Sequence, residues 1–216
     1  MLGMALLFDL DGVLVDSRAA FLNSVNFAID QLGWAPRTSE ELLPCIGPPL
    51  EVGFSELLGT TSEDPRVPAL IAAYRNRYTT VSLTDTTVTP GMPEALARLN
   101  GTKAVATSKP HRFAEPLLTA LGLREHFTVV AGPRLDQGGE TKAQTITSAL
   151  AQLGATEAIM VGDRRFDVEG AHANGIPCIG VTWGIGSREE LERAGADAII
   201  DAPLELDPTV RVMSRP

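Results

Sequence analysis

Only two cysteines, Cys45 and Cys178, occur in the 216 residues, and neither belongs to a CxxC pair. They exclude a disulfide framework, and the plain expectation is two reduced thiols in a cytoplasmic protein. No apolar run approaches the length of a membrane span. The apolar start MLGMALLF is interrupted by Asp9 and Asp11 and has no basic residue before it, so neither a signal peptide nor a membrane partner is expected. Basic residues are in deficit: 18 Lys and Arg face 27 Asp and Glu, a net charge of −9. The mean field repels a phosphate backbone, so nucleic acid is not an expected partner, although one pocket can oppose that field. Internal repeats and low-complexity tracts are also lacking. What is present is a globular composition, 44% hydrophobic and 21% charged. Its length suits one ordinary domain or a core with a small insert.

Short apolar runs end in small or polar residues at 4–8, 104–106, 127–131, 158–161, 177–181 and 198–200. Continuous runs of this kind suit parallel strands covered on both faces. Helical patterns lie between them at 93–99, at 144–153 before Gly154, and at 189–194 before Gly195. A helix from Pro110 must kink at Pro116 or restart there. The alternation predicts an α/β fold, a doubly wound parallel sheet whose strand ends share one ligand-collecting edge. From about residue 17 to 83 no buried strand is apparent. Helical patterns appear instead at 19–32, 39–43, 50–58 and 67–78. The expected organisation is a core of 1–16 and 84–216 with a small all-α insert of 17–83 after the first strand.

The first strand runs into Asp9-Leu10-Asp11-Gly12. Two carboxylates this close are costly without a cation or a shared proton, and Gly12 permits a turn most residues resist. Taken alone, Asp-x-Asp also reads as a capped strand-to-helix turn. Thr107 and Ser108 follow another apolar strand, where a hydroxyl either donates to phosphate or caps the next helix. The chain has only three lysines. Lys103 sits in a turn, Lys109 follows the hydroxyl pair and is expected to point away from it, and Lys142 opens a helix after Gly138-Gly139-Glu140-Thr141. A compact ammonium at Lys142 neutralises phosphate and carboxylates, or is simply a surface charge. The strand 158–161 ends in Gly162-Asp163, and Asp167 in the first turn of a following helix either faces the same edge or caps that helix.

Together these residues put four carboxylates, a hydroxyl and a lysine on one edge. Mg²⁺, a hard cation that pairs with substrate phosphates, suits such a set. The chemistry it predicts is phosphoryl transfer to Asp9 as nucleophile, with Asp11 as acid and base. Mg²⁺, Lys142 and Thr107 would stabilise the phosphoryl oxygens. Thr107, Ser108, Lys142 and Gly12 are the expected phosphate-binding residues.

In this order the residues resemble the haloacid dehalogenase superfamily. The matching stretches are DLDGVLVDS at 9–17, Thr107, Lys142 and GDRRFD at 162–167. Within it, ATSKP at 106–110, MVGDRRFDVEGA at 160–171, GVTWGIGSREEL at 180–191 and IGPPL at 46–50 resemble its phosphoglycolate phosphatase-like and 5′-nucleotidase-like members. The resemblance implies a Rossmann-like core with a helical first-type cap, acting on a small phosphorylated metabolite or nucleotide. It further implies Mg²⁺ held by Asp9, the Asp11 backbone carbonyl and Asp163, with Asp167 supporting the metal's waters. Two departures stand out: Ala143 replaces a common proline, and Arg164 replaces a commoner small residue at the expected pocket rim. A phosphomutase shares this core. A receiver-like phospho-switch shares the residue types, but its acceptor follows a middle strand and it has no helical insert. The insert is expected to close as a lid, with Gly47-Pro48-Pro49 as a lid edge and Arg18, Arg75 and Arg77 as candidates for a substrate anion or plain solvated helix arginines. A monomer or small homo-oligomer is expected.

Overall fold

The computed structural model of the chain describes residues 4–134 and 140–214. These fall into two compact units, Asp16–Thr87 and the residues on either side of it. Eight strands are seen among them: β1 Ala5–Phe8, β2 Val15–Asp16, β3 Thr87–Val88, β4 Lys103–Ala106, β5 Val129–Ala131, β6 Ala158–Gly162, β7 Cys178–Val181 and β8 Ala198–Ile200. Helices α1 Arg18–Gln31, α2 Ser39–Leu42, α3 Leu50–Leu58 and α4 Arg66–Val81 belong to the inserted unit. Helices α5 Met92–Arg98, α6 His111–Ala120, α7 Lys142–Leu153, α8 Arg165–Ala173, α9 Arg188–Ala194 and α10 Leu206–Met213 belong to the other. None is long and apolar enough to cross a membrane.

The larger unit is the doubly wound α/β fold. Six strands pair in the order β5-β4-β1-β6-β7-β8, all parallel. Every residue of β1 is buried, and its side chains alternate between two cores. Leu6 and Phe8 join Val105, Ile159, Val161 and Ile179 on one face, while Ala5 and Leu7 join Ala104, Ala106, Met160 and Cys178 on the other. The bulkier face contains the edge-on pair Phe8–Phe127, with ring centroids 5.9 Å apart. The chain leaves β1, winds outward through β4 and β5, then crosses back to β6 on the other side. The direction of winding reverses around β1, and an α/β sheet opens its crevice beyond the strand ends there.

The inserted unit is helical among its described residues. Phe21, Phe54, Tyr74 and Tyr78 pack there with centroids 5.1 to 6.4 Å apart, so Tyr74 serves as core. Its boundaries fall within β2 and β3, which pair as a short two-stranded ribbon.

Of the two courses expected at Pro116 the restart is not taken, since Pro116 lies inside α6. It is the sixth residue of that helix, so the only bond it forfeits there is to the Arg112 carbonyl. Strands β2 and β3 were not among the six expected. The fifth strand shortens to Val129–Ala131 because a 3₁₀ turn, Arg124–His126, precedes it. Helix α10 was not foreseen. Truncating the centre of the larger core tests this packing. Phe8→Ala should cost about 3–5 kcal/mol, read from the shift of the urea unfolding midpoint.

Candidate active site

Three residues past β1, Asp11 pairs with Val15, and Gly12 donates its N–H to the Val15 carbonyl at 2.8 Å. Gly12 has φ of +84°, the left-handed region where a side chain is strained. A Cβ there would also collide with the Asp163 carboxylate, as would one at Gly184. Glycine at both positions lets backbone approach Asp163 closely. Asp9 itself follows the strand directly and donates its N–H to the Val161 carbonyl of β6 at 2.9 Å.

Lys142 is the first residue of α7. That helix starts there because Thr141 and Gln144 form a capping box: Thr141 Oγ1 accepts from the Gln144 N–H at 3.3 Å, and Gln144 Oε1 accepts from the Thr141 N–H at 2.8 Å. The Lys142 ammonium is buried, 2.8 Å from Asp9 Oδ1 and 2.8 Å from Asp167 Oδ1, and donates to the Ala106 carbonyl at 3.1 Å. That carbonyl ends β4, one residue before Thr107. Gly138 and Gly139, expected in the loop before Lys142, lie outside the described residues.

Asp167 carries out both functions that its spacing allowed. Its Oδ2 accepts the Arg164 N–H at 3.0 Å and so caps α8, while its Oδ1 meets Lys142. Asp163 Oδ2 accepts the Ile185 N–H at 2.7 Å, from the loop after β7. The same loop is tied down by Trp183, whose indole N–H donates to the Val13 carbonyl at 3.2 Å. Arg164 is buried and pairs with α9: its Nε donates to Glu190 Oε1 at 3.0 Å, which also accepts the Arg165 N–H at 2.9 Å.

Asp9, Asp163 and Asp167 each place a carboxylate oxygen within 4.8 Å of the others. The Asp11 side chain stands apart from this trio. Its Oδ1 accepts from the Lys109 ammonium at 2.6 Å, in a largely buried ion pair. Lys109 was expected only to point away from the hydroxyl pair, and this contact with Asp11 is an addition to that reading. Its backbone does follow the hydroxyl turn, with the Lys109 N–H donating to Thr107 Oγ1 at 3.1 Å, but its long stem reaches across to the neighbouring strand's loop. Thr107 is buried and Ser108 half-buried. In the inserted unit, Arg18 is an exposed partner of Asp16, Arg75 lies 3.9 Å from Glu51, and Arg77 stacks over Phe27.

Sequence reasoning therefore missed Lys109 as a partner of Asp11, and it missed Ile185 and Trp183. Lys109, Trp183 and Ile185 all occur inside stretches that carry the family resemblance. Ile185 acts through its backbone N–H, which leaves no side-chain signal.

The electrostatics are dominated by burial. It pushes the Asp9 carboxyl up to about 6, against the pull of Lys142 and helped by Asp167. It pushes Asp163 well above the carboxylate range, with Asp167 and Asp9 adding repulsion. Burial works against the Lys142 ammonium too, but Asp167 and Asp9 outweigh it and hold the ammonium above its ordinary value. Counted as ionised, four carboxylates face only two ammonium groups, Lys142 and Lys109, a formal excess of two negative charges that the raised Asp9 and Asp163 carboxyls relieve while no cation is bound. Asp163 Oδ1 is buried with no hydrogen-bond partner among the described residues. An all-oxygen donor set with that deficit and that orphaned atom fits a hard divalent cation such as Mg²⁺.

Fold and site together define a Rossmann-like α/β protein with a buried acidic centre at the reversal of its sheet. Residues 6–181 match the family described as haloacid dehalogenase-like hydrolase, and the chain belongs to that family. A 5′-nucleotidase from Pseudomonas aeruginosa is 38% identical over 191 residues, covering 86% of this chain and 86% of that protein. A phosphoglycolate phosphatase from Chromobacterium violaceum is 32% identical over 221 residues, covering 94% of each. The crystal structure of a predicted phosphatase from Clostridium acetobutylicum superposes with a TM-score of 0.91 at 34% identity, over 98% of this chain and all of that one.

A carboxyl whose folded-state pKa is raised takes up its proton on acidification before the unfolded chain does. The stability linked to it is complete below the unfolded value and is lost as pH rises through the folded one. Metal-free protein should therefore be more stable at pH 5 than at pH 7, by on the order of 1–3 kcal/mol, and melt at a higher temperature there, as Asp9 titrates through about 6. Saturating Mg²⁺ should raise the pH 7 melting temperature and flatten that dependence, and Asp163→Asn should remove the Mg²⁺ response. Thermal melts in EDTA and in Mg²⁺ measure all three.

Proposed function

We propose that the chain is a Mg²⁺-dependent phosphatase of small phosphomonoesters, a phosphoric monoester hydrolase acting through an aspartyl-phosphate on Asp9. The observation that carries this reading is the buried Lys142 ammonium 2.8 Å from both Asp9 and Asp167, beside an orphaned oxygen of Asp163. The family of the chain and its phosphatase and nucleotidase relatives support it.

In this reading a carboxylate oxygen of Asp9 attacks phosphorus, and the bond from phosphorus to the leaving oxygen breaks. Asp11 gives that oxygen its proton. Water then attacks the aspartyl-phosphate, Asp11 takes the water's proton, and inorganic phosphate leaves with Asp9 restored. Lys142 and Thr107 neutralise or donate to the phosphoryl oxygens throughout, Ser108 and the backbone at Gly12 complete the phosphate cradle, and Lys142 holds Asp9 against Asp167 in the attacking position. Asp9, Asp163 and the Asp11 carbonyl would hold Mg²⁺, with Asp167 behind its waters. When bound, the ion supplies positive charge against the phosphoryl oxygens.

Asp9, Asp11, Thr107, Lys142, Asp163 and Asp167 all lie in the larger unit. The inserted unit is therefore assigned the choice of group beyond the phosphate, and its lid behaviour is part of this proposal. The substrates best supported are phosphoglycolate-like or nucleoside 5′-monophosphate-like, in keeping with the names of the two curated relatives.

Turnover on a panel of such esters should vanish in EDTA and return with Mg²⁺. Full activity in exhaustively chelated protein would refute the metal dependence. Asp9→Asn should lower kcat by about 10⁴-fold or more with the fold intact by circular dichroism. Rapid-quench mass spectrometry of wild type should find the phosphoryl adduct on Asp9. An adduct on Asp11 or Asp163 would reassign the nucleophile. Replacing Gly47-Pro48-Pro49 should reorder substrate preference more than it changes Mg²⁺ affinity. An unchanged ranking would count against the lid.

A further inference from the structure

Strand β1 pairs with β4 so that Phe8 lies beside Val105. The loops that follow these two strands are therefore neighbours, one carrying Asp11 and the other Lys109. The two residues are 98 positions apart in sequence, yet their side chains meet at 2.6 Å with relative exposures of 8% for Lys109 and 15% for Asp11. The ion pair is thus largely removed from water, where a close charge pair is strong and its geometry well fixed. The backbone of Lys109 is fixed as well, because its N–H donates to Thr107 Oγ1 at 3.1 Å. One residue therefore touches both the expected acid–base group and the expected phosphate-binding hydroxyl.

An ammonium has only donors. The Asp11 oxygen that it contacts, Oδ1, therefore acts as the acceptor. A hydroxyl that accepts a hydrogen bond from a backbone N–H still has its own proton to give. We propose that Lys109 is a positioning residue for the acid–base step. Its ammonium pins Asp11 Oδ1, which leaves Oδ2 as the oxygen for the acid–base step, and its N–H orients the Thr107 hydroxyl to donate to the phosphoryl group. As the bond from phosphorus to the leaving oxygen breaks, the proton passes from Asp11 Oδ2 to that oxygen. In the second step, Oδ2 takes a proton from the attacking water as the bond from phosphorus to Asp9 breaks. Lys109 neither gains nor loses a proton in either step.

This inference rests on the reading of Asp11 as acid and base, and leaving-group dependence tests the two separately. An aliphatic alkoxide needs a proton to depart, whereas p-nitrophenolate departs without one. Kinetics of wild type, Asp11→Asn, Lys109→Met, Lys109→Arg and the double variant Asp11→Asn/Lys109→Met are compared on 2-phosphoglycolate and p-nitrophenyl phosphate, or on a nucleoside 5′-monophosphate as the aliphatic ester if it is the better substrate. Lys109→Met should lose about 10–10²-fold in kcat/KM on the aliphatic ester, as expected of a misplaced proton donor, and at least tenfold less on the aryl ester. Lys109→Arg should recover most of the loss, and Lys109→Met should add little once Asp11 is Asn. Equal losses on both esters in Lys109→Met, with Asp11→Asn still selective for the aliphatic one, would show a merely structural ion pair and overturn the proposal. If Lys109→Met does not fold, selective loss in Lys109→Gln supports the proposal and uniform loss overturns it. If Asp11→Asn itself shows no leaving-group dependence, the acid–base reading of Asp11 fails and the role of Lys109 falls with it.

Discussion

A single buried ammonium governs the candidate site. Lys142 sits between Asp9 and Asp167, 2.8 Å from each, in a region sealed from water. Without it, three carboxylates within 4.8 Å of one another would have only backbone N–H groups to set against their repulsion and the cost of desolvation. With it, the cluster folds but keeps an excess of negative charge. That unbalanced negative charge is what a divalent cation would neutralise. Breaking such an arrangement from one side leaves an uncompensated charge, so Lys142 couples the stability of the fold to the chemistry proposed for it.

The surrounding fold serves to bring that ammonium and those carboxylates together. Strand β1 delivers Asp9, β6 delivers Asp163, and the capping box of α7 starts the helix at Lys142, whose ammonium meets Asp9 and Asp167. Close approach is obtained by leaving out side chains. At Gly12 and Gly184 a Cβ would collide with Asp163, and at Gly162 one would collide with Asp167. The acidic cluster is thus enclosed by backbone, and its hydrogen bonds come mainly from fixed N–H groups such as those of Ile185 and Arg164. A centre built this way reorganises little when charge moves within it, which is the condition for strong electrostatic stabilisation.

Much of this was legible in the sequence because the signals are local. Unbroken apolar runs marked the six parallel strands, and the loss of such runs between 17 and 83 marked a change of architecture. Asp9, Asp163 and Lys142 follow directly from strand ends and a helix start, so sequence position alone puts them at the edge of the sheet. Other features depend on tertiary reach or on backbone groups. Whether Asp167 capped its helix or faced the site could not be decided from spacing, since it does both. The contact of Lys109 with Asp11 was missed because the direction of a four-carbon stem depends on which loop lies beside it, and that follows from the pairing of β1 with β4. Helix α10 contains Pro208 and only one fully buried residue, Leu206, so its pattern stayed below notice.

The central claim is that phosphorus is transferred to Asp9 before it reaches water, and the stereochemistry at phosphorus measures this directly. A substrate phosphorothioate monoester made chiral with one heavy oxygen isotope is hydrolysed in water containing the third isotope, and the configuration of the released thiophosphate is determined. Two successive in-line displacements, the first by Asp9 and the second by water, give net retention. Retention is the result this account predicts. Net inversion would mean that water attacks the ester directly, and it would contradict the role assigned to Asp9 and the mechanism built on it.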